Sequence, residues 1–269
     1  MKRFASLTLV ILCLFIVNRG GFALAQEKAE EAVNTGQDFT KPLTQFDISL
    51  KYQNLQEDFE TTVITARVDK PFLLGNDWQL ALRADLPYMW SDVPSADNPP
   101  PGENQEGFSD FLVQALFITP TKGKWTAGFG TQVIFPTAEK DSMGTGKYQL
   151  LPTLGVKYDL GETGWMKGAW AATLLRYAVD IGGDDDRPNI NQTYIQPVLY
   201  ITLPRLWFLT FAPEMIYDWR TENWHVPFDL LVGKMLTRKI VVTVEYKAAI
   251  VDDLPLYTQE VEFGIGFFF

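Results

Sequence analysis

Phe263-Gly264-Ile265-Gly266-Phe267-Phe268-Phe269 closes the chain. Taken in steps of two from the last residue, it presents Phe269, Phe267, Ile265, Phe263 and Val261 on one face. Glu260, Glu262, Gly264 and Gly266 fall on the other. A period of two marks a β-strand whose faces meet unlike surroundings. A wholly apolar face on a strand at a free chain end invites edge-to-edge aggregation in water. The same face suits lipid, in a strand that closes a barrel and leaves no edge.

The alternation recurs along most of the chain. Phe46, Ile48, Leu50 and Tyr52 alternate with Asp47, Ser49 and Lys51. Leu80, Leu82, Ala84, Leu86 and Tyr88 alternate with Ala81, Arg83, Asp85 and Pro87. Twelve such segments cover roughly 43–52, 61–70, 77–89, 108–119, 124–135, 147–159, 165–179, 191–203, 206–218, 224–235, 239–250 and 257–269. Trp or Tyr often ends an apolar face, as in an interfacial girdle. The predicted fold is all-β: a transmembrane antiparallel up-and-down β-barrel of about 12 strands. An even strand number puts both barrel ends on the same side. Every second connection should then be a tight periplasmic turn: Pro71–Asn76, Pro120–Gly123, Leu160–Gly164, Pro204-Arg205 and Leu236–Arg238. The intervening ones should be external loops, the longest being Ser91–Gly107. A large secreted β-sandwich also alternates, but it gives no reason for such a chain end.

The N-terminus fits export. Lys2 and Arg3 precede an apolar run from Leu7 to Val17, and Ala23-Leu24-Ala25 is a small-x-small cleavage site. Residues 1–25 are read as a signal peptide, 26–42 as a flexible periplasmic extension, and 43–269 as the barrel. The apolar run is too short to span a membrane as a helix. The single cysteine, Cys13, lies inside the signal, so no disulfide or thiolate site is expected in the mature chain.

The formal charge is −10, and losing Lys2, Arg3 and Arg19 with the signal makes the chain more acidic. Nucleic acid is therefore excluded as a partner by repulsion from its phosphates. His225 is the only histidine, so a Ser-His hydrolase would have to use it. Its phase turns it to the lumen, and no serine flanks it, so no enzyme activity is expected. One His without Cys makes no zinc site. Asp184-Asp185-Asp186 lacks the spacing of a calcium loop and reads as a solvated external loop. Gly144-Thr145-Gly146-Lys147 lacks the rest of a phosphate-binding loop. No metal or cofactor is expected.

The inward phase gathers the candidate lumen lining: Lys51, Arg67, Arg83, Asp85, Asp110, Lys147, Lys157, Glu214, Asp229, Glu245 and Lys247, with Glu260 and Glu262 on the last strand. Arg or Lys facing lipid at the midplane costs about 2–4 kcal/mol, so the inward assignment is enforced. Arg83 and Asp85, one pleat apart, are expected to pair or join a network. Such groups line a permeation path or a salt-bridged closed lumen; a twelve-stranded barrel lies between the filled and the open sizes.

Two resemblances add to this reading. The terminal strand, through Phe263, Ile265, Phe267 and Phe269, resembles the C-terminal signature of bacterial outer-membrane proteins, which implies recognition by the barrel assembly machinery. Gly107-Phe108-Ser109-Asp110, Gly130-Thr131-Gln132-Val133-Ile134-Phe135-Pro136-Thr137, Gly144-Thr145-Gly146-Lys147-Tyr148 and Leu151-Pro152 resemble the transporter-like barrels of the MetA pathway of phenol degradation family. That resemblance implies uptake across the outer membrane. The expected function is an outer-membrane channel for passive uptake of small solutes, aromatic or hydrophobic compounds among them. The alternatives are a structural barrel with a closed lumen and, further off, an outer-membrane enzyme. Expected partners are outer-membrane lipid, lipopolysaccharide, the assembly machinery and the solute.

Overall fold

The computed structural model describes residues 34–56, 59–100, 102–161 and 167–269. The signal-peptide reading of residues 1–25 lies outside them, as does the extension up to residue 33. Fourteen strand segments build one antiparallel sheet: β1 (Gln45–Asn54), β2 (Glu60–Leu73), β3 (Gln79–Ser91), β4 (Gln105–Phe108), β5 (Phe111–Ile118), β6 (Trp125–Phe135), β7 (Lys147–Asp159), β8 (Trp170–Gly183), β9 (Asn191–Thr202), β10 (Trp207–Phe211), β11 (Met215–Asp218), β12 (Asn223–Thr237), β13 (Ile240–Asp252) and β14 (Gln259–Phe268). β4 and β5 both pair with β3, and β10 and β11 both lie between β9 and β12. Each of these two pairs fills one place in the wall, so the barrel has twelve strands. β1 pairs with β14 from Gln45↔Phe268 to Asn54↔Gln259 and closes the sheet. Closure gives every wall strand two neighbours, which lipid requires.

The twelve expected segments are all present, with ends shifted by a few residues. The largest shift is at β8, which begins at Trp170 instead of 165. Pro71, expected in a turn, lies inside β2 opposite Ala81. The turn that follows is tighter. Asn76 and Asp77 hold φ of 58° and 61°, the pair of positive values that a type I′ hairpin needs. Arg205 and Leu206 repeat it at 60° and 63°, where neither side chain favours it. These turns share the end at which β1 begins and β14 finishes, here the near end. The long connections, 92–104, 136–146 and 184–190, lie at the far end.

The outer face carries Leu50, Val68, Leu86, Phe129, Leu154, Leu175, Phe228 and Phe263, all exposed. So continuous an apolar surface is the face a barrel turns to lipid. Aromatic clusters rim it: Trp125–Tyr158 at the near end, and Tyr88–Trp90 and Tyr217–Trp224 at the far end. No helix of the described residues is long and apolar enough to cross a membrane.

Inside, the near half of the barrel is packed. Trp170, Ala172, Val198, Tyr200, Phe208, Ala212, Met235, Val241 and Phe268 form one apolar cluster, and Ala81, Leu116 and Ile118 a second. Gly233 makes room for Phe208: a Cβ there would sit 2.0 Å from the Phe208 ring. Phe39 packs against both clusters. Residues 34–44 therefore run inside the barrel. The mobile extension expected over 26–42 is corrected over its described part: residues 34–42 are held by contacts that the sequence does not advertise.

Candidate functional site

The candidate site is the lumen, built by the inward positions of every strand. At the near end it is narrowed by residues 34–44. Lys157 of β7 is 0% exposed at its side chain, and its Nζ lies 2.6 Å from Asp38 Oδ2 and 3.0 Å from Asp159 Oδ1. A buried ammonium is tolerable only when paired; Asp38 of the inserted segment supplies that pairing. The Phe39 ring lies over two inward glycines of neighbouring strands. A Cβ on Gly155 would meet it at 2.9 Å and one on Gly128 at 3.2 Å. Thr35 and Tyr200 share a hydrogen bond of 3.1 Å, and Asn34 Nδ2 donates to Lys41 O at 2.7 Å. The segment is thus held by one ion pair, one ring seat and several hydrogen bonds.

From the level of Gln45 towards the middle of the wall, β2 and β3 carry a ladder of charges. Arg67 donates two bonds to Asp85, from Nε at 2.8 Å and from Nη2 at 2.7 Å. Arg83 Nε donates to Asp69 at 2.8 Å. Gln45 Nε2 bridges Asp47 and Asp69 at 2.8 and 3.1 Å. Arg67 faces Asp85 directly across the two strands, and Asp69 faces Arg83. Arg83 and Asp85, expected to pair or join a network, do not pair with each other: each takes a partner on β2, and the two ion pairs stand one above the other.

The rest of the predicted lining divides. Lys51 lies opposite Glu262 across the β1–β14 seam. Glu245 and Lys247 are 3.4 Å apart, and Lys247 Nζ reaches Glu260 at 2.8 Å. Asp229 is 1% exposed on the neighbouring strand. Glu214, in the break between β10 and β11, pairs with Arg176. Lys147 is buried at the far end. Asp110 does different work. It sits in the break between β4 and β5 and accepts from Ala138 N at 3.1 Å and Thr145 N at 2.8 Å. It therefore anchors the 136–146 loop. Arg187 adds a clasp, donating to Asp141 O at 2.8 Å and to Gly144 O. Met143 of this loop is buried, and Ser109 Oγ donates to its carbonyl.

Asp38 and Phe39 had no signal in the sequence. Asp47, Asp69 and Arg176 did: they share the inward phase of Lys51, Arg67 and Ala172. The run of small inward residues, Gly128, Gly130 and Gly155, was a sign that something fills the space there. Phe263, Ile265, Phe267 and Phe269 keep the outward phase, and Phe268, facing inward, joins the core. His225 is buried on the inward face, its ring centre 4.5 Å from that of Tyr257. Neither ring nitrogen has a hydrogen-bond partner among the described residues.

This fold is shared with solved outer-membrane proteins. An outer-membrane channel from Pseudomonas putida F1 matches at a TM-score of 0.69 and 11% identity, covering 90% of this chain and 100% of that one. The NanC porin matches at 0.54 and 13%, covering 83% and 98%. The KdgM porin, solved in complex with disordered oligogalacturonate, matches at 0.50 and 9%, covering 84% and 99%. A search of curated proteins finds no match. The model of one family, described as "Putative MetA-pathway of phenol degradation", matches residues 34–189, from the inserted segment to the β8–β9 loop. That span is more than half of the chain, and the protein belongs to this family.

Proposed function

We propose that the protein is an outer-membrane channel that lets small solutes cross passively, with its periplasmic mouth narrowed by residues 34–44. The observation that carries this is the contrast within one lumen. The near half is filled around Phe39, while ion pairs on β2, β3, β13 and β14 line the wall from the level of Gln45 towards the far end. Paired charges offer a passing solute donors and acceptors in turn without a net barrier for either sign. The channel and the porins among its structural neighbours support the same reading. The family description supports aromatic solutes, small and partly polar. The near end, holding both barrel termini, is the periplasmic one in this reading. The outer face meets lipid and lipopolysaccharide, and the terminal strand is presented to the assembly machinery.

Planar-bilayer recording of the purified mature chain tests it. A small, stable conductance that grows when residues 26–42 are removed is the expected result. Liposome swelling with hydroxylated aromatics against sugars of equal size then tests solute class. The second reading, a structural barrel with a closed lumen, is favoured by the apolar packing at the near end. It prevails if neither form conducts.

A further inference from the structure

The wall formed by β12, β13 and β14 carries more negative charge than its lysines neutralise. Glu245 faces Glu262 across β13 and β14, and Lys247 faces Glu260. Asp229 faces Lys247 from β12. Four inward carboxylates thus share Lys247, with Lys51 the other cation nearby. The Lys247 ammonium pairs with Glu245 and Glu260 only. No ion pair joins it to Glu262 or Asp229 among the described residues.

One carboxylate oxygen from each of Glu245, Glu260 and Glu262 lies within 4.8 Å of the others. Oxygen ligands sit about 2.3–2.6 Å from calcium, so two of them on opposite sides are about 4.8 Å apart. A single ion can therefore touch all three. A second, independent observation points into the same place. Asp229 is 1% exposed, and its Oδ1 has no hydrogen-bond partner among the described residues. Its carboxyl lies against that of Glu245. Glu260 is buried as well, with its Oε1 2.8 Å from the Lys247 ammonium. One ammonium among four inward carboxylates leaves them under-neutralised, and a second cation between them lowers the cost.

We propose that Glu245, Glu260 and Glu262, backed by Asp229, form a binding site for one hard divalent cation of the calcium class in the lumen wall. The donor set is all oxygen and all anionic, which selects calcium or magnesium over zinc or copper. Three carboxylates at this spacing suit the larger and more flexible calcium shell better than a strict octahedron. The sequence offers no such site by motif. The ligands come from two strands, and Asp229 from a third.

The test uses the mature chain refolded from denaturant into detergent, free of lipopolysaccharide, then stripped with EDTA. Calorimetric titration with calcium chloride is expected to report one ion per chain. In Glu245→Gln/Glu262→Gln, which keeps side-chain shape, affinity should fall about tenfold or more, since ligand charge sets calcium affinity. Asp184→Asn/Asp185→Asn/Asp186→Asn, in the external loop, should keep the full uptake. Heat-modifiable mobility on gels reports that each variant is folded. If the double variant fails to fold, Glu262→Gln alone is read by the same criterion. No uptake by the wild type overturns the proposal. So does undiminished uptake by the luminal variant, or loss of uptake in the loop variant.

Discussion

Lys157 Nζ lies 2.6 Å from Asp38 Oδ2, and the lysine is fully buried. The two residues are 119 positions apart in the chain, yet this pair ties the inserted segment to the wall. Asp38→Asn should leave the ammonium with Asp159 alone, at 3.0 Å. Removing one partner of a buried pair costs roughly 2–3 kcal/mol when another contact remains. Limited proteolysis is the readout: cleavage within residues 26–44 should speed up while the barrel stays resistant. An unchanged cleavage rate would mean that the pair does not hold the segment.

Phe39 and Gly155 form the second tie. Phe39→Ala should weaken docking of the segment by about 3–5 kcal/mol, the usual cost of emptying an aromatic seat. Gly155→Val should do the same from the other side, because its Cβ would stand 2.9 Å from the ring. The two changes share one contact, so their effects should not add. Strict additivity in proteolysis or conductance would show that the ring is not seated there.

Phe208 and Gly233 offer a stability test away from the segment. A Cβ at Gly233 would sit 2.0 Å from a ring that is 0% exposed. Gly233→Ala should lower unfolding stability by about 1–3 kcal/mol through overpacking. Adding Phe208→Leu should recover part of the loss. Thermal melting followed by gel mobility measures both.

Arg83 tests the path. Arg83→Ala removes a positive charge and leaves Asp69 with only Gln45 at 3.1 Å. The lumen becomes more negative, so selectivity should move towards cations. Reversal potentials in a salt gradient decide this. Identical values for two folded, conducting proteins would place Arg83 off the path.

Phe269 tests assembly. It is 79% exposed on the outward face, and its N donates to Thr44 O at 3.0 Å. Phe267→Asp/Phe269→Asp should abolish the heat-modifiable form in cells. Charge costs little near the interface, so a full block would point to lost recognition and not to lost stability. A variant that assembles normally would remove these residues from the signal.

Strand number, strand phase and the lipid face were legible in the sequence, because alternation is local. Leu82, Leu86 and Tyr88 declare their side of β3 without any knowledge of the neighbours. The inward charges followed from the same phase, with the high cost of Arg or Lys in lipid leaving no other choice. The anchoring of the 136–146 loop by Asp110 was not legible, because phase speaks only while a strand continues, and the wall breaks at that residue.

Partner choice was not legible. Along one strand, residues two apart are separated by about 6.6 Å, whereas directly opposed side chains have Cβ atoms about 4.5–5.5 Å apart. Arg83 therefore takes Asp69 across the register and not Asp85 beside it. Register is a relation between strands, and no single strand carries it. The inserted segment lies further still from view. Residues 34–44 have no periodic face, and their place depends on a cavity shaped by Gly128, Gly155, Leu116 and Lys157, which come together only when the barrel has closed. The sequence by itself determined the wall and which groups face inward; closure of the sheet decided which of those groups meet and what fills the space between them.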